Sequence, residues 1–119
     1  MIDAHHHVWD LAVRDQPWLR AAGMEPLQRS FSVADLHPAA ELAGVTATVL
    51  VQTVTVAAET PELLALAAAE PLIAGVVGWT DLTSPAVADE ATRTANAVAV
   101  KHREVMCFMH LSRQYGTCQ

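Results

Sequence analysis

The stretch that decides the fold is Met1-Ile-Asp-Ala-His-His-His-Val-Trp-Asp10, at the start of a chain of 119 residues. An apolar beginning runs directly into three histidines. Because residues i and i+2 of an extended strand point to the same side, His5 and His7 are expected to face together while His6 points away. Two imidazoles on one side of a strand end can bind one divalent metal ion, and neutral imidazole is a good ligand for Zn²⁺. The spacing alone leaves two interpretations equally open: a first strand that ends in half of a metal site, or an incidental histidine run, either an exposed polar stretch or the remainder of a purification tag.

The composition is typical of one small folded domain. The chain is 52% hydrophobic, and its length allows a single core. Its net charge of −6 excludes nucleic-acid binding by the chain as a whole. Neither a signal-peptide pattern nor an apolar run near the roughly 20 residues of a membrane span is present. Cys107 and Cys118 make no disulfide framework, so a reduced, cytoplasmic setting is predicted.

The composition changes near residue 92. Residues 1–92 carry three arginines against twelve acidic residues, whereas residues 93–119 carry four basic residues against one glutamate. Both cysteines and two of the four methionines also lie in this second part. We therefore expect an ordered part, residues 1–92, followed by a divergent tail, residues 93–119, that is frame-changed or disordered.

Strand and helix signals alternate along the first part. The predicted strands are residues 1–6, 46–53 and 72–79, and the predicted helices are residues 33–43, 61–69 and a third from Ser84–Pro85 to the mid-nineties. Ser32 and Asp35 are spaced like a capping box before the first helix, and Gly44 suits its end. Thr60 and Pro61 have the pattern of a cap and first turn for the second helix. In the tail, a short strand over residues 105–111 is conceivable.

The order βαβαβα predicts an α/β fold with a parallel sheet. A Rossmann fold is disfavoured, because histidines stand where its glycine-rich turn would follow the first strand. A (β/α)8 barrel fits better, since its active groups lie at the carboxyl ends of strands, where His5, His7 and Gln52 fall. A barrel typically needs about 250 residues, so this chain supplies its first three βα units. Eight is not a multiple of three, so the sequence offers no ground for a barrel that is closed by several copies of the chain. The third strand is expected to have an unpaired edge.

Several linked motifs resemble a known family. The opening His-x-His resembles that of the amidohydrolase superfamily, in which this motif ends the first strand of a barrel. The rest of residues 1–92 is similar to the amidohydrolase-2 group of sugar-lactone hydrolases, which includes L-rhamnono- and L-fucono-lactonases. The matching segments are the loop Trp9…Pro17-Trp18-Leu19, Phe31-Ser-Val-Ala-Asp-Leu36, Val49-Leu-Val-Gln52 followed by Glu59-Thr60 and Leu63-Leu-Ala-Leu-Ala67, and Ile73-Ala-Gly-Val-Val-Gly-Trp-Thr-Asp-Leu82.

The resemblance implies a hydrolytic site of which only a part is encoded here. His5 and His7 match the metal-ligand motif, and the implied cofactor is a divalent ion, Zn²⁺ in the first instance, although some lactonases of this group work without metal. Histidines after later strands and an aspartate after the last one complete the site. The aspartate acts as general base for the water that attacks the lactone carbonyl. Asp81 and Asp89 lie too early in the chain for that role, so the catalytic residues stay unassigned.

Two further residues are candidates for binding a small sugar lactone. Gln52 could bond a sugar hydroxyl, with a structural role at a strand end as an equal alternative. Trp18 could stack on a sugar ring or cover the barrel's edge. Arg14 is expected to be a solvated loop residue, and His102 and His110 in the tail are not expected to be ligands.

We interpret the chain as the N-terminal part of a lactone-hydrolysing amidohydrolase, inactive alone because the later ligands and the aspartate are missing. The alternative is a small metal- or partner-binding α/β module without catalysis, in which the acidic body and basic tail serve assembly. A monodisperse domain that binds Zn²⁺ through His5 and His7 without acting on lactones would favour the alternative.

Overall fold

The computed structural model describes residues 1–98 and 105–109, which form a four-stranded sheet and three α-helices. The strands are β1 (Ile2–His6), β2 (Ala47–Val51), β3 (Ile73–Trp79) and β4 (Val105–Met109), and the helices are α1 (Val33–Leu42), α2 (Glu59–Ala69) and α3 (Val87–Val98). Short 3-10 turns at Pro17–Arg20 and Glu25–Leu27 interrupt the loop between β1 and α1. Among the described helices, none combines the length and the apolar character needed to cross a bilayer.

The sheet is parallel throughout, with the strands in the order β1-β2-β3-β4. The predicted α/β class and parallel sheet are therefore confirmed. The expectation of an unpaired edge on the third strand was wrong, because β4 pairs with β3 from Gly75↔Val105 to Trp79↔Met109. The segment Val105–Met109 lacks a clear period of two, but its apolar residues suit a strand next to another buried strand.

The core lies between the sheet and the helices. Leu50 and Val76 are neighbours in register on β2 and β3, and both are fully buried at 0% exposure. Leu63, Leu64 and Ala67 of α2 belong to the same cluster. Since successive strand residues alternate between faces, this packing fixes one face of the sheet as the helix-covered face and leaves the residues between them on the other.

The second helix begins differently from the sequence prediction. Thr60 was expected to cap it, but α2 begins at Glu59 with Ala58 as the N-cap. The Thr60 hydroxyl instead donates to the Gln52 side-chain oxygen. The Thr60 hydroxyl is therefore used in a tertiary hydrogen bond and not, as the local sequence pattern predicts, in capping the helix. The third helix likewise begins later than Ser84–Pro85, at Val87.

The first helix has the expected ends. The Asp35 carboxylate accepts hydrogen bonds from the Ser32 backbone N–H and hydroxyl, both at 2.8 Å. These bonds, with an additional one from Arg29, lower the Asp35 pKa to about 2. Gly44 follows the helix with φ +67°, a left-handed conformation that favours glycine. The predicted capping box and helix stop are both confirmed.

The flank formed by β1 and α1 is less well covered. Within α1 only Val33 and Ala40 are buried, and Leu42 is 91% exposed. Met1 and Ile2 are 76% and 66% exposed at the start of β1. This flank contributes little apolar burial, since each apolar side chain stabilises the fold in proportion to the area removed from water.

The division of the chain near residue 92 stays a sequence-based prediction. The helix α3 runs across that position. Cys118, His102 and His110, three tail residues considered in the sequence, lie outside the described residues.

Candidate metal centre

The imidazoles of His5 and His7 meet at the carboxyl end of β1. Their Nε2 atoms are 3.0 Å apart, and the rings are in an edge-on arrangement with centroids separated by 4.8 Å. His5 lies within β1 and His7 directly follows it, so the alternation of a strand places both on one side. The sequence-based expectation that these two side chains face together is met by this geometry.

The ring of His7 is oriented by the neighbouring strand. Its Nδ1 lies 2.7 Å from the backbone carbonyl oxygen of Val51, the last residue of β2. A carbonyl only accepts, so Nδ1 carries the hydrogen and donates it. In the neutral ring, Nε2 is then unprotonated and accepts a hydrogen bond from His5 Nε2 at 3.0 Å. A hydrogen bond of this kind, from the non-ligating nitrogen to a backbone carbonyl, is the usual way in which proteins orient a metal-binding histidine.

The pair fits two positions of a metal site. Two nitrogens bound tetrahedrally to Zn²⁺ at 2.0–2.1 Å stand about 3.3 Å apart. The observed 3.0 Å separation needs only a small outward movement to accommodate an ion. Within residues 1–98 and 105–109, no cluster of three His, Cys, Asp or Glu side chains suitable for a metal ion is found. The described part of the chain thus brings two candidate ligands together, fewer than the three or more protein ligands of a typical zinc site.

His6 lies on the opposite, helix-covered face. It pairs in register with Leu50 and is only 9% exposed. Neither ring nitrogen has a hydrogen-bond partner among the described residues. Burial lowers its pKa, against a smaller opposing influence of the Asp3 carboxylate. The sequence placed His6 away from the pair but gave no signal that the ring would be buried.

The side chain of Gln52 is engaged within the protein. It is 8% exposed, and its amide nitrogen donates to the carbonyls of Val54 and Val56 at 2.7 and 2.9 Å. Its side-chain oxygen accepts from the Trp79 backbone N–H at 3.0 Å and from the Thr60 hydroxyl. These contacts fit the structural alternative for Gln52, since little hydrogen-bonding capacity is left for a sugar.

Trp18 lies in an aromatic cluster on the first loop. Its indole N–H donates to the Gln16 side chain at 2.8 Å, and its ring packs edge-on against Trp9 at 5.2 Å between centroids. Trp9 also contacts Phe31 at 4.9 Å and pairs with it in an antiparallel bridge. Trp18 is half-buried in this cluster, so its position fits the covering role raised for it, and no contact tests the stacking role.

The expectation that Arg14 would be solvated was wrong. Its guanidinium makes two hydrogen bonds to the Glu62 carboxylate, at 2.8 and 3.0 Å, and its side chain is 19% exposed. This pairing raises the Arg14 pKa and lowers that of Glu62. The partner lies 48 positions further along the chain, so no local signal could have predicted it.

A groove of about 620 Å³ lies between the first loop, the start of α1 and α2. Its walls include Trp9, Phe31 and Leu63, together with the buried Gln16 and Glu59. The Glu59 carboxylate accepts from the Thr53 hydroxyl and from two backbone N–H groups, those of Thr53 and Val54. The histidine pair, Gln52 and Trp18 are not among the residues that line this groove.

Comparison with curated proteins identifies two similar lactonases. The chain is 41% identical over 88 residues to L-fucono-1,5-lactonase of Burkholderia multivorans, an alignment that covers 74% of this chain and 29% of the relative. It is 40% identical over 83 residues to L-fucono-1,5-lactonase of Burkholderia ambifaria, with 70% and 28% covered. The chain thus spans less than a third of the length of these relatives. No protein-family model matches the chain.

Solved structures give the same result. A crystal structure of an amidohydrolase from Burkholderia multivorans with bound zinc matches with a TM-score of 0.75 and 35% identity, covering 92% of this chain and 36% of that one. A second crystal form of an amidohydrolase from this organism, with bound HEPES, matches with a TM-score of 0.71 and 39% identity over 77% and 32% of the two chains. An amidohydrolase 2 from Bifidobacterium longum subsp. infantis matches with a TM-score of 0.54 and 33% identity, covering 66% of this chain and 31% of that one. The resemblance predicted from the motifs, over a part of such a protein, is confirmed.

Proposed function

Since the chain shares sequence and fold with part of the amidohydrolase-2 group, we propose that it contains the first portion of a lactone-hydrolysing site in a partial (β/α)8 barrel. In this proposal His5 and His7 are two ligands of a divalent metal ion, Zn²⁺ by preference. The substrate class is a small sugar-acid lactone, as in the names of the two curated relatives. The cysteine usage of the sequence favours a cytoplasmic setting.

The observation that carries the proposal is the His5–His7 pair with its bond to β2. The Val51 carbonyl holds His7 in the tautomer whose Nε2 is unprotonated, and His5 Nε2 lies 3.0 Å away. A divalent cation, when bound, polarises a carbonyl and makes water more acidic. The role of this chain is to supply two imidazole nitrogens on one side of β1, at the carboxyl end of a parallel sheet.

We further propose that the chain does not hydrolyse lactones by itself. A general base must lie within hydrogen-bond reach of the proton that it removes. Of the carboxylates nearest to the pair in sequence, Asp3 accepts the His5 backbone N–H at 3.1 Å and Asp10 accepts the Ala12 N–H at 2.9 Å. The family resemblance assigns the general base to neither of them, since it places that aspartate after the last strand of the barrel. No third ligand accompanies the pair within the described residues.

The test is a calorimetric titration of untagged protein with Zn²⁺. We expect His5→Ala and His7→Ala each to weaken binding at least tenfold, because removing either nitrogen halves the ligand pair. The matched control is His37→Ala, which removes an exposed histidine on α1 whose Nε2 lies 3.2 Å from Glu70. Equal zinc affinity in all four proteins would refute the ligand assignment.

The same samples, incubated with L-fucono-1,5-lactone, should give hydrolysis no faster than buffer with zinc. A rate of an ordinary enzyme would overturn the proposed inactivity. Zinc binding that depends on both histidines, without detectable lactone binding, would instead favour the alternative of a metal-binding module without catalysis.

A further inference from the structure

The number and order of the strands lead to an inference about assembly. The described sheet has four strands, all parallel and in sequential order, with β1 and β4 at its two edges. Within residues 1–98 and 105–109, neither outer edge is paired with a further strand. Four parallel strands are half of the eight that close into a barrel whose interior is just filled by side chains. The fourth strand therefore removes the numerical objection to closure by copies of this chain.

Among the described residues, the face of the sheet that points away from the helices is less fully covered than the helix-packed face. Leu50 and Val76 lie beneath the helices at 0% exposure, whereas on the other face Val49 and Val77 are only half-buried, and Val51 is 3% exposed. Parallel sheets are normally buried on both faces. This second face also carries the His5–His7 pair, because His6 lies on the helix-covered face beside Leu50 and strand alternation places its two neighbours on the other side. A partner that covers it would thus enclose the pair.

We propose that the partner is a second copy of this chain, and that two copies close an eight-stranded barrel with β4 of each beside β1 of the other. Such a pair has two-fold symmetry about the barrel axis, the commonest symmetry of protein dimers. All eight strands run the same way, so both histidine pairs lie at one mouth. The two partly covered faces become the barrel interior, and both outer edges of each sheet are paired at once.

The exposure of the β1 edge agrees with this arrangement. Met1 and Ile2 are 76% and 66% exposed there, and both are apolar. An exposed, apolar edge strand is a template for pairing with another chain. A dimer that joins β1 to β1 in an antiparallel way would cover this edge but leave β4 and the apolar face open. The closure through β4 and β1 therefore buries more of the edge and face that a single copy exposes. The inference rests on the sheet and not on the proposed lactone chemistry.

The experiment measures mass and strand proximity on the full 119-residue chain. Sedimentation should give a species of twice the 12.8 kDa chain mass. For proximity, a cysteine is introduced into β1 by Ile2→Cys, Asp3→Cys or Ala4→Cys, with Cys118→Ser in every protein. A short bismaleimide linker should then join β1 of one copy to the native Cys107 of β4 in the other. At least one of the three positions should give a covalent dimer, and the added change Cys107→Ser should abolish it.

The matched control is Glu25→Cys, an exposed position in the first loop, which should give no cross-link that depends on Cys107. Cross-linking that persists after Cys107→Ser would indicate β1–β1 pairing and overturn the proposal. So would a sedimentation profile with only the single-chain mass, only larger assemblies, or a dimer that none of the three cysteines can link. Circular dichroism on each variant confirms that the helices are retained before the linker is added.

Discussion

Two regions of the molecule share one sheet but differ in how they are stabilised. One is the junction of β2, α2 and β3, and the other is the flank of β1 and α1. At the junction, Leu50 and Val76 are wholly buried and the Gln52 side chain ties three segments together. On the flank, Leu42 is 91% exposed, and α1 buries only Val33 and Ala40. The histidine pair lies between the two regions, because His7 on the flank bonds to Val51 at the junction.

The comparison indicates that the candidate ligands depend on the junction more than on their own strand. Among the described residues, the ring of His5 makes its one hydrogen-bond contact with His7, whereas His7 is also oriented by a carbonyl of β2. If β2 were displaced, the orientation of His7 would be lost even with β1 intact. The stability of the core at the junction is therefore a precondition for the geometry of the His5–His7 pair.

The largest difference between the two regions should come from matched truncations of leucine. Leu50→Ala, at 0% exposure, should lower the free energy of unfolding by about 3 kcal/mol, since it removes buried methyl groups and leaves a cavity. Leu42→Ala, at 91% exposure, should change it by less than about 0.5 kcal/mol. Urea denaturation followed by circular dichroism measures both. Similar losses for the two variants would mean that the flank is packed as tightly as the junction.

A smaller effect is expected where α2 approaches β3. A Cβ added at Gly78 would overlap Thr60 Cγ2 and lie 2.8 Å from its Oγ1. Thr60 is β-branched and cannot easily turn away, so Gly78→Ala should cost about 1–3 kcal/mol through overpacking. Thermal denaturation of the single and double variants checks this.

The cost of Gly78→Ala should shrink when Thr60→Ser removes the overlapping methyl group. Thr55→Ser, at an exposed position between β2 and α2, serves as the control background and should leave the cost of Gly78→Ala unchanged. If the cost is the same in all three backgrounds, the close approach of α2 to β3 is not what requires glycine.

The smallest effect should be the pH dependence at the start of α1. Hydrogen bonds from Ser32 and Arg29 hold the Asp35 pKa at about 2, below its ordinary value of 3.8. The stabilisation is therefore complete above pH 4 and is lost as the pH falls towards 2. Asp35→Asn should lower the melting temperature at pH 7 and make little difference at pH 2. Glu41→Gln on the same helix is the control, and an equal effect of Asp35→Asn at both pH values would contradict the assignment.

Much of the fold was predictable because its signals are local. The strands β2 and β3 follow from short apolar runs, the start of α1 follows from the Ser32–Asp35 spacing, and its end follows from Gly44. The start of α2 was mispredicted because Thr60, a good cap by pattern, donates its hydroxyl to Gln52 across the junction. The fourth strand was suggested but not its pairing with β3, since pairing depends on contacts between residues far apart in sequence.

The sequence by itself determined that His5 and His7 share one side, because the alternation of a strand places residues two apart on the same side. The bond that orients the His7 ring, to the Val51 carbonyl, came only from the tertiary structure. The sequence also determined the resemblance to lactonases, through motifs in a fixed order. Only the tertiary structure decided that His6 is buried, that Gln52 serves the protein's own packing and that Arg14 is paired with Glu62. Those outcomes depend on burial and on partners up to 48 positions away, and neither is encoded in the neighbouring residues.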